Sequence, residues 1–296
     1  MPVIPAFLSR FFSRALLCLG ISGLLATASS VHAQSGSAAM EAALRAEVAL
    51  VYDLESGAPV FEKNSDELRP IASITKLMTA LVVIESGQPM DEVLTITSDD
   101  IDRMRHSRSR LAVGTRLTRG EMLHLALMSS ENRAANALGR HYPGGLPAFV
   151  RAMNDKARAL GMRHSRFVEP TGLSSENVAT SHDLVKLLRA TDKHPRIRFY
   201  ATDDTEVFNV GRGRQLTYNN TNRLVRRNDW DIRVSKTGFI NEAGQCLVML
   251  TRIDERDLAI VLLNADGRAS RLGDANRLRQ MVESSAPALA LASSGS

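Results

Sequence analysis

Short apolar runs bounded by turn residues occur near both ends of this chain. Residues 48–53 and 59–63 flank the turn Glu55-Ser56-Gly57, and this pattern predicts a β-hairpin. Three further apolar runs, separated by short turns, predict an antiparallel meander at residues 231–236, 245–251 and 258–264. Strands are therefore expected at the beginning and at the end of the folded chain.

Between these segments the hydrophobic period becomes that of helices. After Pro70, apolar residues from Leu77 to Ile84 form one stripe that ends near Gly87. Thr118 and Glu121 have the spacing of a capping box before an apolar run that reaches Met128. The same reasoning predicts further helices at residues 134–142, 148–160, 181–191 and 274–283.

This order of elements predicts an α+β fold. We expect one antiparallel sheet built from both chain ends, with helices on its faces and a helical subdomain inserted at about residues 88–195. The folded domain is expected to span residues 47–283. A leader at residues 34–46 would precede it, and a flexible tail at residues 284–296 would follow it.

The first 33 residues have the composition of a secretory signal peptide. Arg10 and Arg14 precede an apolar core, and Val31-His32-Ala33 resembles a small-residue cleavage site. An uncleaved anchor is the alternative, but the apolar core is short for a membrane span. We therefore expect an exported chain that is cleaved near Ala33 and located in the periplasm. Cys246 would then be the one cysteine of the mature chain, in an apolar strand typical of a core residue.

Composition excludes little but argues against nucleic acid as a partner. The net charge is +5 and aromatic residues make up 5% of the 296 residues. The basic residues are scattered, so a base-stacking platform is not expected. One basic run contains Arg103, Arg105, Arg108 and Arg110. It is either a solvated face or a contact to an anionic polymer, and the sequence does not decide between them.

The candidate chemistry begins with Ser73 and Lys76, one helical turn apart. On a helix these positions share a face, so the lysine amine would lie beside the serine hydroxyl and could act as its base. The alternative is that Ser73 only caps a helix. Two further motifs favour the catalytic interpretation: Ser130-Glu131-Asn132 between two helices, and Lys236-Thr237-Gly238 at the end of a strand.

These three motifs, in this order, resemble the serine DD-peptidase and β-lactamase superfamily. The chain is most similar to low-molecular-mass penicillin-binding proteins of the type-7 D-alanyl-D-alanine endopeptidase group, in peptidase family S11. The similar stretches cover nearly the whole mature chain. They are residues 71–80, 127–134, 167–173, 236–239 and 274–279.

The resemblance implies roles for eight residues. Ser73 would be the nucleophile, Lys76 its base, and Ser130 the relay of a proton to the leaving amine. Asn132 would bind the acyl-chain amide. Lys236 and the Thr237 hydroxyl would hold the substrate carboxylate, and the backbone N–H groups of Ser73 and Phe239 would bind the oxyanion. Gly238 would let the substrate backbone approach the strand closely. Lys236 would also help keep Lys76 neutral.

Four features have simpler interpretations. Ser130 could only cap the helix that follows it, and Lys236 could be an exposed strand residue. Ser175-Glu176-Asn177 repeats the second motif, but it follows a Thr-Gly turn and is predicted to be a loop. Glu169 is followed by Pro170-Thr171-Gly172-Leu173, unlike a β-lactamase loop, so a structural role is expected for it. The absence of a hydrolytic base predicts a penicillin target whose acyl-enzyme is hydrolysed slowly, rather than a β-lactamase.

The resulting functional hypothesis is a periplasmic serine endopeptidase that cleaves D-alanyl cross-links of peptidoglycan. It would act in cell-wall organisation and cell shape, be acylated by β-lactams, and need no cofactor or metal. A DD-carboxypeptidase that removes terminal D-Ala is the alternative within this class. A penicillin-binding sensor or scaffold with little turnover is the alternative outside it. No stable membrane anchor is expected, since the tail has no basic amphipathic face.

Overall fold

The computed structural model describes residues 38–211 and 213–293. The chain divides into two units, Met1–Ala43 and Leu44–Ser296, and the second contains the fold described here. The predicted signal peptide lies outside the described residues. Among the described helices, none is both long and apolar enough to cross a membrane.

A five-stranded sheet is formed by both ends of the chain, as predicted. Its strands are β1 (Ala46–Asp53), β2 (Ala58–Lys63), β9 (Asp231–Ile240), β10 (Gly244–Ile253) and β11 (Arg256–Ala265). The spatial order is β2-β1-β11-β10-β9 and every neighbouring pair is antiparallel. Leu50 of β1 lies opposite Val261 of β11, which joins the two chain ends at the centre of the sheet.

Three two-stranded pieces accompany the main sheet. Short strands β3 (Arg69–Pro70) and β6 (Val178–Ala179) pair, as do β4 (Val93–Thr95) and β5 (Arg116–Thr118). Strands β7 (Thr205–Asn209) and β8 (Gln215–Asn219) form a hairpin. The β3–β6 pair matters most for the site, because it joins the segment before Ser73 to the segment after Glu169.

Seven helices are described in the second unit. They are α1 (Thr75–Glu85), α2 (Arg119–Met128), α3 (Asn132–Arg140), α4 (Gly145–Ala159), α5 (Ser181–Asp192), α6 (Pro195–Thr202) and α7 (Arg268–Ser293). The capping box predicted for α2 is present, since Thr118 and Glu121 bond each other's backbone N–H groups. Helix α6 was not predicted, because its eight residues carry no clear apolar stripe.

The predicted C-terminal helix at residues 274–283 is too short at both ends, because α7 spans Arg268–Ser293. Asp274 does not begin this helix. It is buried within it, and its carboxylate accepts the backbone N–H groups of Arg45 and Ala46 at 2.7–3.1 Å. This side chain therefore fixes α7 to the start of β1. The domain boundaries and the tail flexibility predicted above stay predictions.

Both faces of the sheet are covered. Strands β10 and β11 are buried at nearly every position rather than at alternate ones, which requires packing on each face. Helices α5 and α7 both pack against β1, β10 and β11. Helix α1 lies in the same apolar core, and nine of its eleven residues are buried. The Ser73 segment is thus held between the sheet and the helical part of the chain.

Candidate active site

Ser73 lies in a 3-10 turn, Ala72–Ile74, directly before α1. The side chain of Lys76 reaches back by one turn, and its Nζ donates to the Ser73 Oγ at 2.8 Å. The capping interpretation of Ser73 is wrong. The turn begins at Ala72 and α1 at Thr75, so their N-cap residues are Ile71 and Ile74, and neither has a side-chain capping bond. The structure therefore places the predicted nucleophile and base in direct contact.

The ammonium of Lys76 is completely buried and has three acceptors. Besides Ser73, its Nζ donates to the Asn132 Oδ1 at 2.8 Å and to the Thr171 carbonyl at 2.6 Å. Burial lowers the pKa of Lys76 to about 8, because the charged form loses its hydration. The carboxylates of Glu169 and Glu131 act in the opposite direction and raise this pKa. A substantial neutral fraction of Lys76 is thus available near neutral pH.

Ser130 lies at the sharp reversal between α2 and α3. Its φ is +62°, a left-handed conformation that is uncommon for a residue other than glycine and is often found at functional sites. The helix-cap alternative for Ser130 is wrong, because α3 is capped by Glu131, whose carboxylate accepts the Arg133 N–H at 3.2 Å. The reversal is fixed on its other side by the Glu131 N–H, which donates to the Leu125 carbonyl at 3.1 Å.

Asn132 connects the second motif to the first. Its Oδ1 accepts from Lys76, and its Nδ2 donates to the Ser107 Oγ at 3.0 Å. These two bonds fix which amide atom faces the lysine. Sequence reasoning assigned Asn132 to the substrate, and its contact with Lys76 was not anticipated.

A loop at residues 169–177 packs against Lys76, whose Nζ donates to the Thr171 carbonyl of this loop. The Glu169 carboxylate accepts the backbone N–H groups of Thr171 at 2.6 Å, Gly172 at 2.7 Å and Ser174 at 3.3 Å. Asn177 donates to the same carboxylate at 2.9 Å and also to the Thr75 Oγ1 at 3.1 Å. Glu169 is thus the centre of a folded loop, as the structural interpretation predicted. The second Ser-Glu-Asn triplet lies in this loop, and its Asn177 is buried.

Two glycines bring this loop and β9 against the backbone of Ser73. Gly172 has a φ of +80°, and a Cβ there would overlap the Ala72 carbonyl and lie 2.8 Å from the Ser73 nitrogen. A Cβ on Gly238 would lie 3.1 Å from the same nitrogen and 2.9 Å from the Ile71 carbonyl oxygen. Only hydrogen atoms fit at both positions, so the Ser73 backbone is confined between two glycines.

The third motif forms one edge of the site at the end of β9. Lys236 is 1% exposed, so the interpretation as an exposed strand residue is wrong, and its Nζ donates to the Thr237 carbonyl at 2.9 Å. Burial, then the charges of Lys76 and Arg271, hold the pKa of Lys236 well below its usual range. The Thr237 hydroxyl donates to the Thr221 hydroxyl at 2.7 Å, which joins β9 to the segment after β8.

These groups share a cleft with a volume of about 770 Å³. Six of the eight predicted site residues line it: Ser73, Ser130, Asn132, Thr237, Gly238 and Phe239. Lys76 and Lys236 are the other two, and both are buried. The structure therefore brings the three motifs, which extend from Ser73 to Gly238, 165 positions later in the sequence, into one site.

Arg271 is a cleft residue that sequence reasoning missed. It is 5% exposed, and its Nη1 donates to the Cys246 carbonyl at 2.9 Å and the Gln245 Oε1 at 3.2 Å. Its Nε has no hydrogen-bond partner among the described residues. Burial lowers the pKa of Arg271 to about 10, which still leaves it cationic at neutral pH. The helix predicted from the sequence began at Asp274, so Arg271 lay outside it and had no local signal.

Comparison with known proteins identifies the family. The model of the D-alanyl-D-alanine carboxypeptidases, peptidase family S11, matches residues 34–267. The chain belongs to peptidase family S11. It is 45% identical to a D-alanyl-D-alanine endopeptidase of Pseudomonas aeruginosa over 93% of this chain and 89% of that protein. It is 42% identical to one of Escherichia coli over 94% of this chain and 89% of that protein.

The S11 assignment confirms the predicted family and fold class. The crystal structure of the Streptomyces K15 DD-transpeptidase is 26% identical to this chain and has a TM-score of 0.74, covering 80% of this chain and 96% of that one. Four of the five segments that carried the resemblance line or enclose the cleft, whereas residues 274–279 lie in α7, where Asp274 bonds the start of β1. The motif pattern was therefore sufficient to identify this S11 chain.

Two arginines of the basic run have defined partners in this S11 chain. Arg105 donates to the Leu173 carbonyl at 2.5 Å and pairs with Glu242 at 2.8 Å. Arg110 donates to the Thr217 carbonyl at 2.7 Å and lies over the Tyr218 ring. These two side chains join the basic run to the 169–177 loop, to the turn after β9 and to β8. Neither a solvated face nor a contact to an anionic polymer describes this role.

Two other side-chain features limit the chemistry of the described part of the S11 chain. No group of three or more His, Cys, Asp or Glu side chains there has an arrangement that could hold a metal ion. Cys246 is a buried core residue, as predicted, and burial raises the pKa of its thiol to about 11. A thiol in this state is a poor nucleophile.

Proposed function

We propose that this chain is an exported serine DD-endopeptidase that hydrolyses D-alanyl cross-links of peptidoglycan through an acyl-enzyme on Ser73. One observation carries the proposal: the 2.8 Å bond between Ser73 and a buried Lys76 whose pKa is lowered to about 8. A serine hydroxyl needs such a base to attack an amide carbonyl at neutral pH. The endopeptidase names of its P. aeruginosa and E. coli relatives support the choice of a cross-link as substrate.

Acylation begins when neutral Lys76 takes the hydroxyl proton of Ser73. The serine oxygen then forms a bond to the D-Ala carbonyl carbon, and the C–N bond of the amide breaks. The leaving amine needs a proton, which Ser130 relays to it from Lys76. The position of Ser130 in the cleft wall supports this role. Water then adds to the ester carbonyl and gives a proton to Lys76, which is neutral again. The ester C–O bond breaks, and Lys76 returns that proton to the Ser73 Oγ.

The negative charge on the carbonyl oxygen is stabilised by the backbone N–H groups of Ser73 and Phe239. Ser73 lies in the first turn of a helical segment, where N–H groups have no intrahelical partner. Gly238 brings β9 close to the Ser73 nitrogen, which supports the pairing of these two donors. Each such donor contributes about 3 kcal/mol of transition-state stabilisation.

The carboxylate beyond the scissile bond is bound at the end of β9. The Thr237 hydroxyl and the unpartnered Nε of Arg271 are suited to this task, because both belong to residues that line the cleft. Lys236 contributes a buried positive charge beneath them rather than a direct contact. Asn132 lines the cleft on the acyl side and orients Lys76 while the substrate amide binds.

Hydrolysis of the penicilloyl-enzyme is slow because the Glu169 carboxylate is not free to activate water. Three backbone N–H groups and the Asn177 amide donate to the Glu169 oxygens. A carboxylate bonded in this way is a loop-forming group, whereas a general base needs a lone pair directed at water. Penicillins therefore acylate this chain and inhibit it.

The proposed location is the periplasm, reached through cleavage of the signal peptide near Ala33.

Two alternatives are kept as outcomes of a test: removal of terminal D-Ala, and acylation without turnover. Purified protein would be incubated with cross-linked muropeptide dimers and read by mass spectrometry, with Ser73→Ala as the control. Release of monomers by the wild type alone supports the proposal. Loss of a terminal alanine from intact dimers would favour a carboxypeptidase, and unchanged dimers together with penicillin labelling would favour a sensor.

A further inference from the structure

The cleft wall beyond Thr237 is strongly cationic. Four arginines line this cleft: Arg223, Arg226, Arg268 and Arg271. Among the described residues, no aspartate or glutamate lines it. Arg271 is assigned above to the carboxylate next to the scissile bond. The other three are more exposed, and they represent more positive charge than a single carboxylate requires.

Arg223 and Arg268 line the same cleft but come from two different elements. Arg223 follows Thr221, whose hydroxyl bonds the Thr237 hydroxyl at 2.7 Å. Arg268 begins α7 and lies one helical turn before Arg271, on the same face. Its charge acts on Arg271, since it contributes to lowering the pKa of that guanidinium. Both exposed arginines therefore flank the leaving-group end of the cleft.

The two side chains differ from Arg226 in their partners. Arg226 donates to the Asn219 Oδ1 at 3.0 Å and lies 3.5 Å from the Asp204 carboxylate. Within the part of the chain that the structure describes, neither Arg223 nor Arg268 has a side-chain hydrogen bond or an ion pair. Their guanidinium groups are free to bind an anion, and guanidinium favours carboxylates through two parallel hydrogen bonds.

The chemistry of the leaving group explains why a second carboxylate site would be useful. Terminal D-Ala leaves with one carboxylate, which Thr237 and Arg271 accommodate. A cross-link releases a whole stem peptide, and that peptide carries further free carboxylates on the far side of the scissile bond. An enzyme that favours the larger leaving group needs cations beyond the first carboxylate site.

We infer that Arg223 and Arg268 form a second carboxylate subsite that binds the leaving stem peptide and directs this enzyme towards cross-links. This inference rests on the proposed function, because it assumes that amide cleavage takes place at Ser73. It names the residues that favour endopeptidase over carboxypeptidase activity. The subsite would act mainly through KM for dimers, since the charges lie away from the reacting atoms.

The test compares Arg223→Gln/Arg268→Gln with the wild type on three reagents. These are a cross-linked dimer, the same dimer synthesised without the additional carboxylate of its leaving peptide, and benzylpenicillin, which has one carboxylate. We expect kcat/KM for the first dimer to fall about tenfold in the double variant. The second dimer and the rate of penicillin acylation should change less than twofold. Arg226→Gln is the matched control, since it removes one cleft arginine that already has partners.

Salt provides an independent readout. Exposed charges are screened within about 8 Å at physiological ionic strength, so added NaCl should lower the wild-type kcat/KM for the dimer more than that of the double variant. Equal losses on both dimers, or no loss on either, would overturn the subsite while the wild type still cleaves cross-links. If the wild type neither cleaves dimers nor reacts with penicillin, the proposed function fails, and this inference fails with it.

Discussion

The Thr171 carbonyl accepts a 2.6 Å hydrogen bond from the Lys76 ammonium across 95 positions of sequence. This bond is the shortest of the three that Lys76 donates, and it comes from a loop folded around the Glu169 carboxylate. The position of the general base therefore depends on residues outside the three motifs. Four predictions follow from this arrangement and from the buried state of the lysine.

The first prediction concerns the pH dependence of acylation by benzylpenicillin. Lys76 must be neutral to accept a proton, and its pKa is about 8. Below that value the neutral fraction falls about tenfold per pH unit, so the rate constant should rise from pH 6 and level off near pH 9. Stopped-flow or quenched-flow labelling measures this profile. Lys76→Arg, which stays protonated, should show almost no acylation at any pH, and a flat wild-type profile would contradict the assignment.

The second prediction concerns Glu169→Gln. The Glu169 charge raises the pKa of Lys76, so its removal should lower that pKa and move the rising part of the profile to lower pH. The glutamine NH₂ group cannot accept the loop N–H groups, so the plateau rate should also fall about tenfold and the protein should lose about 1–3 kcal/mol of stability.

Glu176→Gln is the control for that experiment, because Glu176 lies in the same loop but is 63% exposed and forms its ion pair with the exposed Arg166. Its profile and its denaturant midpoint should match the wild type. A Glu169→Gln profile that is unmoved, or that shifts to higher pH, would contradict the predicted effect on Lys76.

The third prediction concerns Gly172→Ala. Its φ of +80° is unfavourable for alanine, and the added Cβ would overlap the Ala72 carbonyl. Strain and clash together should lower the free energy of unfolding by roughly 2 kcal/mol or more and should greatly reduce acylation. Gly161→Ala is the matched control, because its φ of +72° is similar but a Cβ there has no neighbour within 4 Å. Equal effects of both changes in chemical denaturation and labelling would show that the close approach is unimportant.

The sequence predicted the elements that carry strong local signals. The β1–β2 hairpin has turn residues between two apolar runs, and α2 has a capping box, so both were found. Helix α6 and the extra turns of α7 were missed, because their stability depends on tertiary packing rather than on a local pattern.

The residues of the candidate site likewise fall into those that the sequence predicts and those that it does not. Ser73, Ser130 and Lys236 belong to short motifs with characteristic spacing, so their convergence could be predicted. The Thr171 carbonyl and the unpartnered Nε of Arg271 could not, because a backbone acceptor has no residue signature and an arginine on a helix is usually exposed. The capping alternatives for Ser73 and Ser130 could be rejected only from the structure, which assigns the caps to neighbouring residues.

The fourth prediction tests the central claim, that Ser73 is the acylated nucleophile. Purified protein would be treated with benzylpenicillin, measured by intact-protein mass spectrometry, and digested to locate the adduct. We expect one penicilloyl group per chain, on the peptide that contains Ser73, and none on Ser73→Ala when its circular dichroism spectrum shows that it is folded. An adduct on Ser130, or equal labelling of the Ser73→Ala protein, would contradict the account.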